Sequence, residues 1–351
     1  MEFKLTKHKN ISLNSTPYII AELGSNHNGD MDLAKKLIIE AKRCGADCVK
    51  FQSWTKDTIF SKKKYQDNYF LADDYRNRQD TNLEDIVEKY SISEEQLLEM
   101  KLFANEQSID FATTPFSKKE VDFLVEKLDA PFIKIASMDL NNYPFLEYVG
   151  KKNKPIVLST GLSDLSEIDK AIQTIEKTGN NRIIILHCVA IYPAPDESIN
   201  LNIIDTLKKL YPYPIGFSDH SLGTSIPLAA IAKGSCLIEK HFTLDKNLEG
   251  WDHKVSATPS ELQYIVNESL RIYKSLGNSR VVKIEDNNRI NEFRRSIVAS
   301  RNISKGEIFD LSMLDFKRPG TGLEPENIKF IIGKKSTKDI EYDSIISIDD
   351  F

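Results

Sequence analysis

Lysine, serine, histidine and carboxylate side chains recur in this 351-residue sequence directly after short apolar runs. Lys50 and Lys134 stand in two such places, and Ser137, Ser159 and Ser218 stand in or just after others. Ammonium groups and hydroxyls together bind small anions, and phosphate or carboxylate groups are the natural candidates. The sequence therefore predicts a site for a small anionic ligand.

Two histidines offer a second kind of chemistry. His220 and His241 follow two consecutive apolar runs, and two imidazoles leave coordination positions open for water and substrate. With oxygen co-ligands the pair suits manganese, iron or zinc, and less obviously magnesium. Any one histidine is more often an ordinary core or surface residue, so both interpretations stay open at this point.

Eight short apolar runs carry these residues and alternate with helical patterns. The predicted strands are Tyr18–Leu23, Cys48–Gln52, Asp110–Thr114, Phe132–Ala136, Ile156–Ser159, Ile183–His187, Ile215–Ser218 and Leu237–His241. Asp30 is the predicted N-cap of the first intervening helix, and Gly45 lies past its end. Alternation implies parallel strands, and eight near-continuous apolar strands favour a closed (β/α)8 TIM barrel over a doubly wound open sheet.

A TIM barrel places its active site at the carboxyl ends of the strands. The residues predicted there are Glu22, Asn26, His27, Lys50, Gln52, Thr113, Thr114, Lys134, Ser137, Asp139, Ser159, Thr160, His187, Tyr192, Ser218, Asp219, His220, Glu239, Lys240 and His241. A purely structural strand end needs few ionisable groups, because an unpaired buried charge is costly. Each lysine keeps a plain alternative as the ion-pair partner of Glu22 or Glu239. The set as a whole predicts an active site.

Two segments depart from the regular alternation. The connection from Trp54 to Gln96 is long and polar, which indicates either a charged surface excursion or a lid over the active site. The stretch 277–294 is charged and typical of a linker, and residues 295–351 contain short β-like runs separated by glycine and proline. The sequence predicts a catalytic domain at 1–276, a linker at 277–294 and a small β-rich domain at 295–351.

Composition excludes several classes of function. The net charge of −5 leaves no electrostatic footprint for nucleic acid. The first apolar run is too short for a signal peptide or a membrane span, so we expect a cytoplasmic protein without a membrane partner. Cys44, Cys48, Cys188 and Cys236 show no metal or disulfide spacing and are expected to be reduced.

Motifs along nearly the whole chain resemble the sialic acid synthase family, which includes legionaminic and pseudaminic acid synthases. In the barrel they are IIAELGSNHNGD from Ile19, VKFQS from Val49, KIAS from Lys134, LSTG from Leu158, HC with YPAP from His187, GFSDHSLG from Gly216, IEKHFTLDK from Ile238 and DHKVS from Asp252. RRSIVASRNISKGE from Arg294 and KRPGTG from Lys317 resemble the family's antifreeze-like SAF domain, a β-clip fold. The family's SAF domain reaches over the partner's barrel, so the resemblance implies a domain-swapped homodimer and not ice binding.

The resemblance assigns roles to the anion and metal candidates. His220 and His241 match metal ligands, which implies one divalent ion per site, with Mn²⁺ expected and Mg²⁺ or Co²⁺ as alternatives. The matches to groups that bind the phosphate and carboxylate of phosphoenolpyruvate are Lys50, Lys134, Ser137, Ser159 and Ser218.

The remaining matches concern the reacting carbons and the sugar. Glu22 matches a carboxylate beside the reacting carbons, and Arg318 matches an arginine supplied by the partner subunit. The positions where sugar contacts are expected are Gln52, Asp139, Tyr192 and Asp252. Glu22, His220 and His241 are thus the expected catalytic residues.

The implied reaction accounts for these residue types. C3 of the enol phosphate attacks a sugar aldehyde, and a metal ion stabilises the developing alkoxide as a Lewis acid. Water then adds at C2, where a carboxylate such as Glu22 orients or deprotonates it, and the lysines offset the phosphate charge as phosphate leaves. The expected product is a nine-carbon 2-keto-3-deoxy sugar acid.

Two departures from the common family pattern bear on the acceptor. The family often has Gly-Glu where this chain has Met138-Asp139, and Gly-Pro where it has Gly250-Trp251. Both pairs are expected to face or flank the sugar pocket. The acceptor is therefore expected to be N-acetylmannosamine or a diacetamido-dideoxyhexose, and the sequence does not choose between them.

Two other functions stay open on the same scaffold. In a Schiff-base aldolase, Lys134 or Lys240 would attack a carbonyl after its pKa is lowered, and no metal would be needed. A non-catalytic carbohydrate-binding protein is the second alternative, although the polar strand ends argue against it.

Overall fold

The computed structural model describes residues 1–71 and 73–351, which divide into two compact units, Met1–Gly277 and Asn278–Phe351. The first unit contains an eight-stranded parallel sheet in the order three-two-one-eight-seven-six-five-four, counting barrel strands along the chain. Within the described residues, backbone pairing joins all neighbours except strands three and four, which still lie side by side. This near-closed sheet confirms the predicted TIM barrel.

The eight strands occupy the predicted runs to within one residue at either end. They are Tyr18–Gly24, Cys48–Gln52, Asp110–Thr114, Ile133–Ile135, Ile156–Ser159, Ile183–Cys188, Ile215–Asp219 and Leu237–His241. The main helix after each strand is Met31–Arg43, Glu94–Glu106, Lys118–Glu126, Tyr143–Lys151, Leu165–Glu176, Asn202–Leu210, Ser225–Ala232 and Pro259–Leu276. Asp30 caps the first helix, since its side chain accepts from the backbone nitrogens of Asp32 and Leu33.

Strand pleating separates two apolar layers, because successive side chains point to opposite faces. In strand one, Ile19 and Ala21 pack into the layer between barrel and helices, whereas Tyr18 and Ile20 pack inside the barrel. A hairpin of Glu2–Lys4 and Asn10–Ser12 adds Leu5 and Ile11 to the inner layer. The bottom of the barrel interior is therefore lined by apolar side chains, which we call the apolar floor. The next inward-facing residue along each strand lies above it.

The long connection after strand two has a hydrophobic core of its own. Its elements are the helices Lys56–Ile59, Lys62–Asp67 and Leu83–Tyr90, the strand pair Tyr69–Phe70 with Asp73–Asp74, and the 3₁₀ turn Tyr75–Asn77. Its core contains Trp54, Tyr75, Leu83, Ile86, Val87 and Tyr90. We call residues 54–96 the excursion. The excursion is thus more than a solvated charged segment, because it contains this packed cluster of aromatic and aliphatic side chains.

The second unit is small and mostly irregular. Ser296–Ala299 pairs antiparallel with Leu314–Lys317, and single bridges such as Val298 with Ile345 add to this pair. Its 3₁₀ turns are Leu311–Met313, Pro325–Phe330 and Ile348–Asp350. Part of the expected linker forms a helix, Asn287–Phe293, whereas residues 278–286, all of them described, form neither helix nor strand.

Other expectations concern cysteines and membranes. All four cysteines are free and buried, as expected for reduced core residues. None of the helices in the described ranges is long and apolar enough to cross a membrane.

Candidate active site

The pleat places polar strand-end residues inside the barrel mouth. Side chains two residues apart on a strand share a face. Buried polar residues follow inward apolar ones at this spacing in six strands: Ile20 and Glu22, Cys48 and Lys50, Ala112 and Thr114, Phe132 and Lys134, Val157 and Ser159, Leu237 and Glu239. The same alternation that builds the apolar floor therefore builds a polar layer above it.

Lys50 is the centre of this layer. Its Nζ is 2.5 Å from Oε2 of Glu22 and 3.7 Å from Oε2 of Glu239, and it donates to Oγ1 of Thr114 at 2.8 Å. Burial alone would lower the pKa of Lys50, but the charges of the two glutamates outweigh burial and raise it. Lys50 is therefore an ammonium ion held in place by three oxygens.

Lys134 lies on the other side of Glu239. Its Nζ donates to Oγ of Ser159 at 2.7 Å and to the carbonyl oxygen of Ile135 at 3.0 Å, and lies 3.7 Å from Oε1 of Glu239. Burial lowers the pKa of Lys134, and the charge of Glu239 only partly opposes that effect. Ser218 completes the group, since its Oγ donates to Oε1 of Glu239 at 3.3 Å.

Glu239 bridges the two lysines; the sequence placed it at a strand end as a possible ion-pair partner of a lysine, but the resemblance assigned it no role. Its signal in the sequence was its spacing, because it stands two residues before His241 and therefore shares the inner face of strand eight. Thr114, which accepts from Lys50, was likewise expected at a strand end, but without a role of its own.

The two buried carboxylates differ in their affinity for a proton. Burial raises the pKa of Glu22 to about 7, with the neighbouring charge of Glu239 adding to the effect and that of Lys50 opposing it. Burial would also raise the pKa of Glu239, but Lys134 and Lys50 outweigh it and lower the pKa. Glu22 can therefore exchange a proton near neutral pH while Glu239 stays ionised.

Gln52, Glu22 and Asp252 converge around Gly24. Nε2 of Gln52 donates to Oε1 of Glu22 at 3.1 Å, and Nε1 of Trp54 donates to Oε1 of Gln52 at 2.9 Å. A Cβ atom at Gly24 would lie 3.2 Å from Oδ2 of Asp252, 3.4 Å from Oε1 of Glu22 and 3.5 Å from Nε2 of Gln52. The absence of a side chain at this position, where φ is +51°, leaves room for all three groups.

His220 and His241 face each other with ring centroids 5.6 Å apart. Nδ1 of His220 lies 2.7 Å from the carbonyl oxygen of Val189, which leaves its Nε2 for a ligand. Nδ1 of His241 is buried and has no hydrogen-bond partner among the described residues, and Oδ2 of Asp252 lies 3.8 Å from it.

This pair fits a divalent ion only if other ligands come from outside the chain. No group of three or more His, Cys, Asp or Glu side chains in the described part of the chain is arranged to hold a metal ion. The unpaired nitrogen of His241 is the observation that favours a ligand, because a buried polar atom without a partner is destabilising. Water and substrate would supply the remaining ligands.

Two of the four residues expected to contact the sugar, Tyr192 and Asp252, lie beside the histidines. The ring of Tyr192 lies over that of His220, with centroids 4.1 Å apart. Asp252 accepts from Oγ of Ser25 at 3.1 Å, and burial raises the pKa of Asp252. The structure therefore brings Tyr192 and Asp252 to the two imidazoles.

Ser137 and Asp139 lie on a 3₁₀ turn directly after strand four. Oγ of Ser137 accepts from the backbone nitrogen of Gly161 at 3.1 Å and donates to Sγ of Cys188 at 3.4 Å, which places it beside the ends of strands five and six. Asp139 accepts from Nδ2 of Asn142 at 3.2 Å.

Several strand-end residues point away from the mouth. Lys240 donates to Oδ2 of Asp219 at 2.6 Å and to the carbonyl oxygen of Ser221 at 2.8 Å. Nε2 of His187 lies 2.6 Å from the carbonyl oxygen of Ile199. These residues occupy the outward positions of the pleat, so the expectation that Lys240 could serve as an aldolase lysine at the mouth is wrong.

Trp251 and Arg318 complete the set of expected residues. The Trp251 ring packs into the excursion core, 4.8 Å from the Phe70 centroid, and the next residue, Asp252, faces the histidines. Arg318 belongs to the second unit, where its guanidinium carbon lies 4.9 Å from the centroid of Phe293. Its contribution to a partner's barrel stays a prediction.

Comparison with known proteins extends over both units. Residues 37–281 match the NeuB family, and residues 294–351 match the SAF domain. An N,N'-diacetyllegionaminic acid synthase of Campylobacter jejuni is 41% identical over 93% of this chain and 98% of its own length. The N-acetylneuraminate-9-phosphate synthase of Homo sapiens is 35% identical over 94% of this chain and 91% of its own length.

A solved structure agrees with these relatives. The crystal structure of an N-acetylneuraminic acid synthetase from Leptospira borgpetersenii, in complex with citrate, is similar with a TM-score of 0.74. The identity is 34%, over 82% of this chain and 94% of that chain. The resemblance inferred from the motifs is thereby confirmed, and this chain belongs to the NeuB family and carries a SAF domain at residues 294–351.

Proposed function

We propose that the protein is a nonulosonic acid synthase, a transferase that condenses phosphoenolpyruvate with an open-chain N-acetylated amino sugar. The products are phosphate and a nine-carbon 2-keto-3-deoxy sugar acid. The observation that carries the proposal is the cluster of Lys50 and Lys134, bridged by Glu239, beside two facing histidines in one barrel mouth. Membership of the NeuB family supports the same class of reaction.

The charge balance of the cluster supports a metal-assisted reaction. Without substrate, the two lysines already have carboxylate partners in Glu22 and Glu239. Phosphoenolpyruvate adds a phosphate and a carboxylate, so its binding requires further positive charge. A divalent ion held by His220 and His241 would supply that charge.

The nature of the ion follows from its two ligands. Imidazoles with oxygen co-ligands suit Mn²⁺, and Mg²⁺ and Co²⁺ are the alternatives. When bound, the ion would act as a Lewis acid on the aldehyde oxygen of the acceptor.

The remaining steps use the chain's own groups. The ammonium groups of Lys50 and Lys134 and the hydroxyls of Ser137, Ser159 and Ser218 hold the phosphate and carboxylate of phosphoenolpyruvate. The carboxylate of Glu22 accepts a proton from the water that adds at C2, and a pKa near 7 suits that transfer at neutral pH. The lysines offset the phosphate charge as the C2–O bond breaks.

The acceptor lies on the histidine side of the mouth. We assign its contacts to Gln52, Asp139, Tyr192 and Asp252. The acceptor is N-acetylmannosamine or a diacetamido-dideoxyhexose, and the identity to the Campylobacter jejuni relative makes the diacetamido sugar the first to test.

A homodimer with shared sites is part of the proposal. Exposed apolar side chains follow four consecutive barrel strands at the mouth: Met138, Leu162, Ile191 and Leu222. Such a rim suits coverage by another protein surface. We assign that surface to the second unit of another copy of this chain, which would bring the partner's Arg318 to the acceptor.

The test is a panel of N-acetylated hexosamines and diacetamido sugars, each incubated with phosphoenolpyruvate and Mn²⁺. Phosphate release and product mass are measured for each sugar. The expected result is phosphate release with one acceptor class and a product heavier by the three-carbon unit. Absence of phosphate release with every sugar would instead support a non-catalytic carbohydrate-binding protein.

A second candidate, a Schiff-base aldolase, rests on the lowered pKa of Lys134. It predicts that borohydride with a carbonyl substrate inactivates the enzyme and adds a substrate-derived mass to Lys134, without need of a metal ion. The synthase predicts no such adduct, because Lys134 then acts as a charge and not as a nucleophile.

A further inference from the structure

We propose that Trp54 is a positioning residue that fixes the orientation of the Gln52 side chain and, through it, the carboxylate of Glu22. The three side chains form a chain of hydrogen bonds from the excursion into the barrel mouth. This role rests on the proposed function, in which Glu22 lies beside the reacting carbons.

The direction of these two hydrogen bonds follows from the chemistry of the indole. An indole N–H only donates, whereas an amide group can present either its oxygen or its nitrogen. Because Nε1 of Trp54 lies 2.9 Å from one end of the Gln52 amide, that end must be the oxygen. The amide nitrogen must then face Oε1 of Glu22, as the 3.1 Å contact requires.

Trp54 can set this direction because its own ring is fixed. Trp54 is 4% exposed and belongs to the excursion core. Its ring centroid lies 6.2 Å from that of Trp251, which donates from Nε1 to Oη of Tyr75 at 3.0 Å. Close-packed aromatic rings have little freedom to turn, so the indole N–H keeps its direction.

The consequence for Glu22 is that each oxygen has its own partner, an ammonium group on one side and an amide donor on the other. Oε2 faces Nζ of Lys50 at 2.5 Å, and Oε1 faces Nε2 of Gln52 at 3.1 Å. If the Gln52 amide turned over, its oxygen would face Oε1 of Glu22 and the two acceptors would repel each other. Trp54 thus removes a competing arrangement of the site without touching Glu22.

The test is Trp54→Phe, which removes the N–H and keeps an aromatic ring. We expect kcat/KM for the amino sugar to fall about threefold to tenfold, the scale of one net hydrogen bond. The KM for phosphoenolpyruvate should stay within about twofold, because Lys50 and Lys134 keep their contacts. An unchanged kcat/KM for the amino sugar overturns the proposal.

A double-mutant cycle separates positioning from packing. If Trp54 acts through Gln52, adding Trp54→Phe to Gln52→Ala should cost nothing further, since coupled residues are not additive. The same loss in both backgrounds would mean that Trp54 acts only through the packing of the excursion. Tyr65→Phe is the matched control, because Tyr65 packs against the same excursion core but its hydroxyl donates to the carbonyl oxygen of Lys56 and takes no part in holding Trp54 or Gln52; we expect its kinetics to match the wild type.

Two measurements keep the proposal testable if Trp54→Phe does not fold. Site-specific replacement of Trp54 by benzothienylalanine keeps the bicyclic shape and removes only the N–H, and it should reproduce the same kinetic loss. Independently of turnover, the indole N–H resonance of Trp54 should shift upfield in Gln52→Leu, whereas that of Trp251 should not move. An unmoved Trp54 resonance overturns the inference.

These experiments distinguish a failure of the Trp54 inference from a failure of the proposed function. A wild-type protein that releases no phosphate with any acceptor would contradict the synthase assignment, yet the resonance shift would still report on the hydrogen bond. An active wild type whose Trp54→Phe variant is unimpaired would contradict only the role of Trp54.

Discussion

Lys50 and Glu22 form an ion pair enclosed in the barrel mouth, with 2.5 Å between Nζ and Oε2 and side chains that are only 3% and 2% exposed. An ion pair in such a place is held by further polar contacts, because each charge loses its hydration. Thr114 and Gln52 supply them, one on each partner. An anionic group of a substrate that binds to Lys50 would have to compete with Glu22 for the ammonium group. Lys50 is therefore the most informative residue to replace.

Lys50→Met should weaken the use of phosphoenolpyruvate more than that of the sugar. A charge-assisted hydrogen bond is worth roughly 1.5–3 kcal/mol, so kcat/KM for phosphoenolpyruvate should fall about tenfold to a hundredfold. Initial rates of phosphate release at varied concentrations of each substrate measure the effect. A loss confined to the amino sugar would place Lys50 on the wrong side of the site.

Lys240→Met makes the same chemical change on the outward face of strand eight. Its partner Asp219 is fully buried, and removing one member of a buried pair typically costs about 3–5 kcal/mol. The free energy of unfolding from urea titration should therefore fall by about that amount, while the KM for phosphoenolpyruvate of the folded fraction stays unchanged. Unchanged stability would show that Lys240 does not hold Asp219 in solution.

Removal of the metal ion should abolish turnover, and Mn²⁺ should restore it. His220→Ala and His241→Ala should each lose bound metal, measured by elemental analysis, and keep the far-UV circular dichroism of the wild type. The fold should survive because both imidazoles lie above the apolar floor of the barrel. Full turnover in protein shown to be free of metal would contradict the assignment, and loss of folding would favour a core role for the histidines.

Acid should destabilise the fold through His27. Burial lowers the pKa of His27 to about 4, and its Nδ1 accepts from the backbone nitrogen of Gly29 at 3.0 Å. The pKa of His27 in the folded protein lies below its value of about 6.5 in the unfolded chain. The contribution of His27 to the free energy of unfolding is therefore fully present above about pH 6.5 and is lost as the pH falls towards about 4. Between about pH 7.5 and about pH 5.5, protonation of His27 should lower the free energy of unfolding by roughly 1.4 kcal/mol.

Comparison with His27→Gln isolates that contribution. The amide oxygen can still accept from Gly29, but the side chain no longer titrates. Urea titrations at the two pH values should therefore show a smaller loss of stability in the variant than in the wild type. An equal loss would assign the acid sensitivity to other groups.

Subunit mixing tests whether sites are shared. Arg318→Ala and His220→Ala should each be inactive alone. If Arg318 serves the partner's barrel, one site of a mixed dimer carries both defects and the other carries neither, so activity should return after subunit exchange. No recovery, despite mixed dimers shown by native mass spectrometry, would mean that Arg318 serves its own barrel or none.

The positions of the strands and of the first helix cap followed from the sequence alone, because both depend on neighbouring residues. Runs such as Ile183–Cys188 are apolar on both faces, which is typical of buried parallel strands. Asp30 caps its helix through the backbone of residues that follow directly. The positions of the apolar runs in the sequence also placed four site residues at strand ends, namely Lys50, Lys134, His220 and His241.

Which of those strand-end residues form the site was decided by tertiary structure. Lys50 and Lys240 both stand near the end of an apolar strand, and pleating tells only that neighbours alternate, not which face becomes the interior. Closure of the barrel turned Lys50 towards Glu22 and Lys240 towards Asp219. The bridge of Glu239 between two lysines and the contact of Trp54 with Gln52 likewise required strands and loops distant in sequence to meet, because a hydrogen bond depends on distance and direction in space.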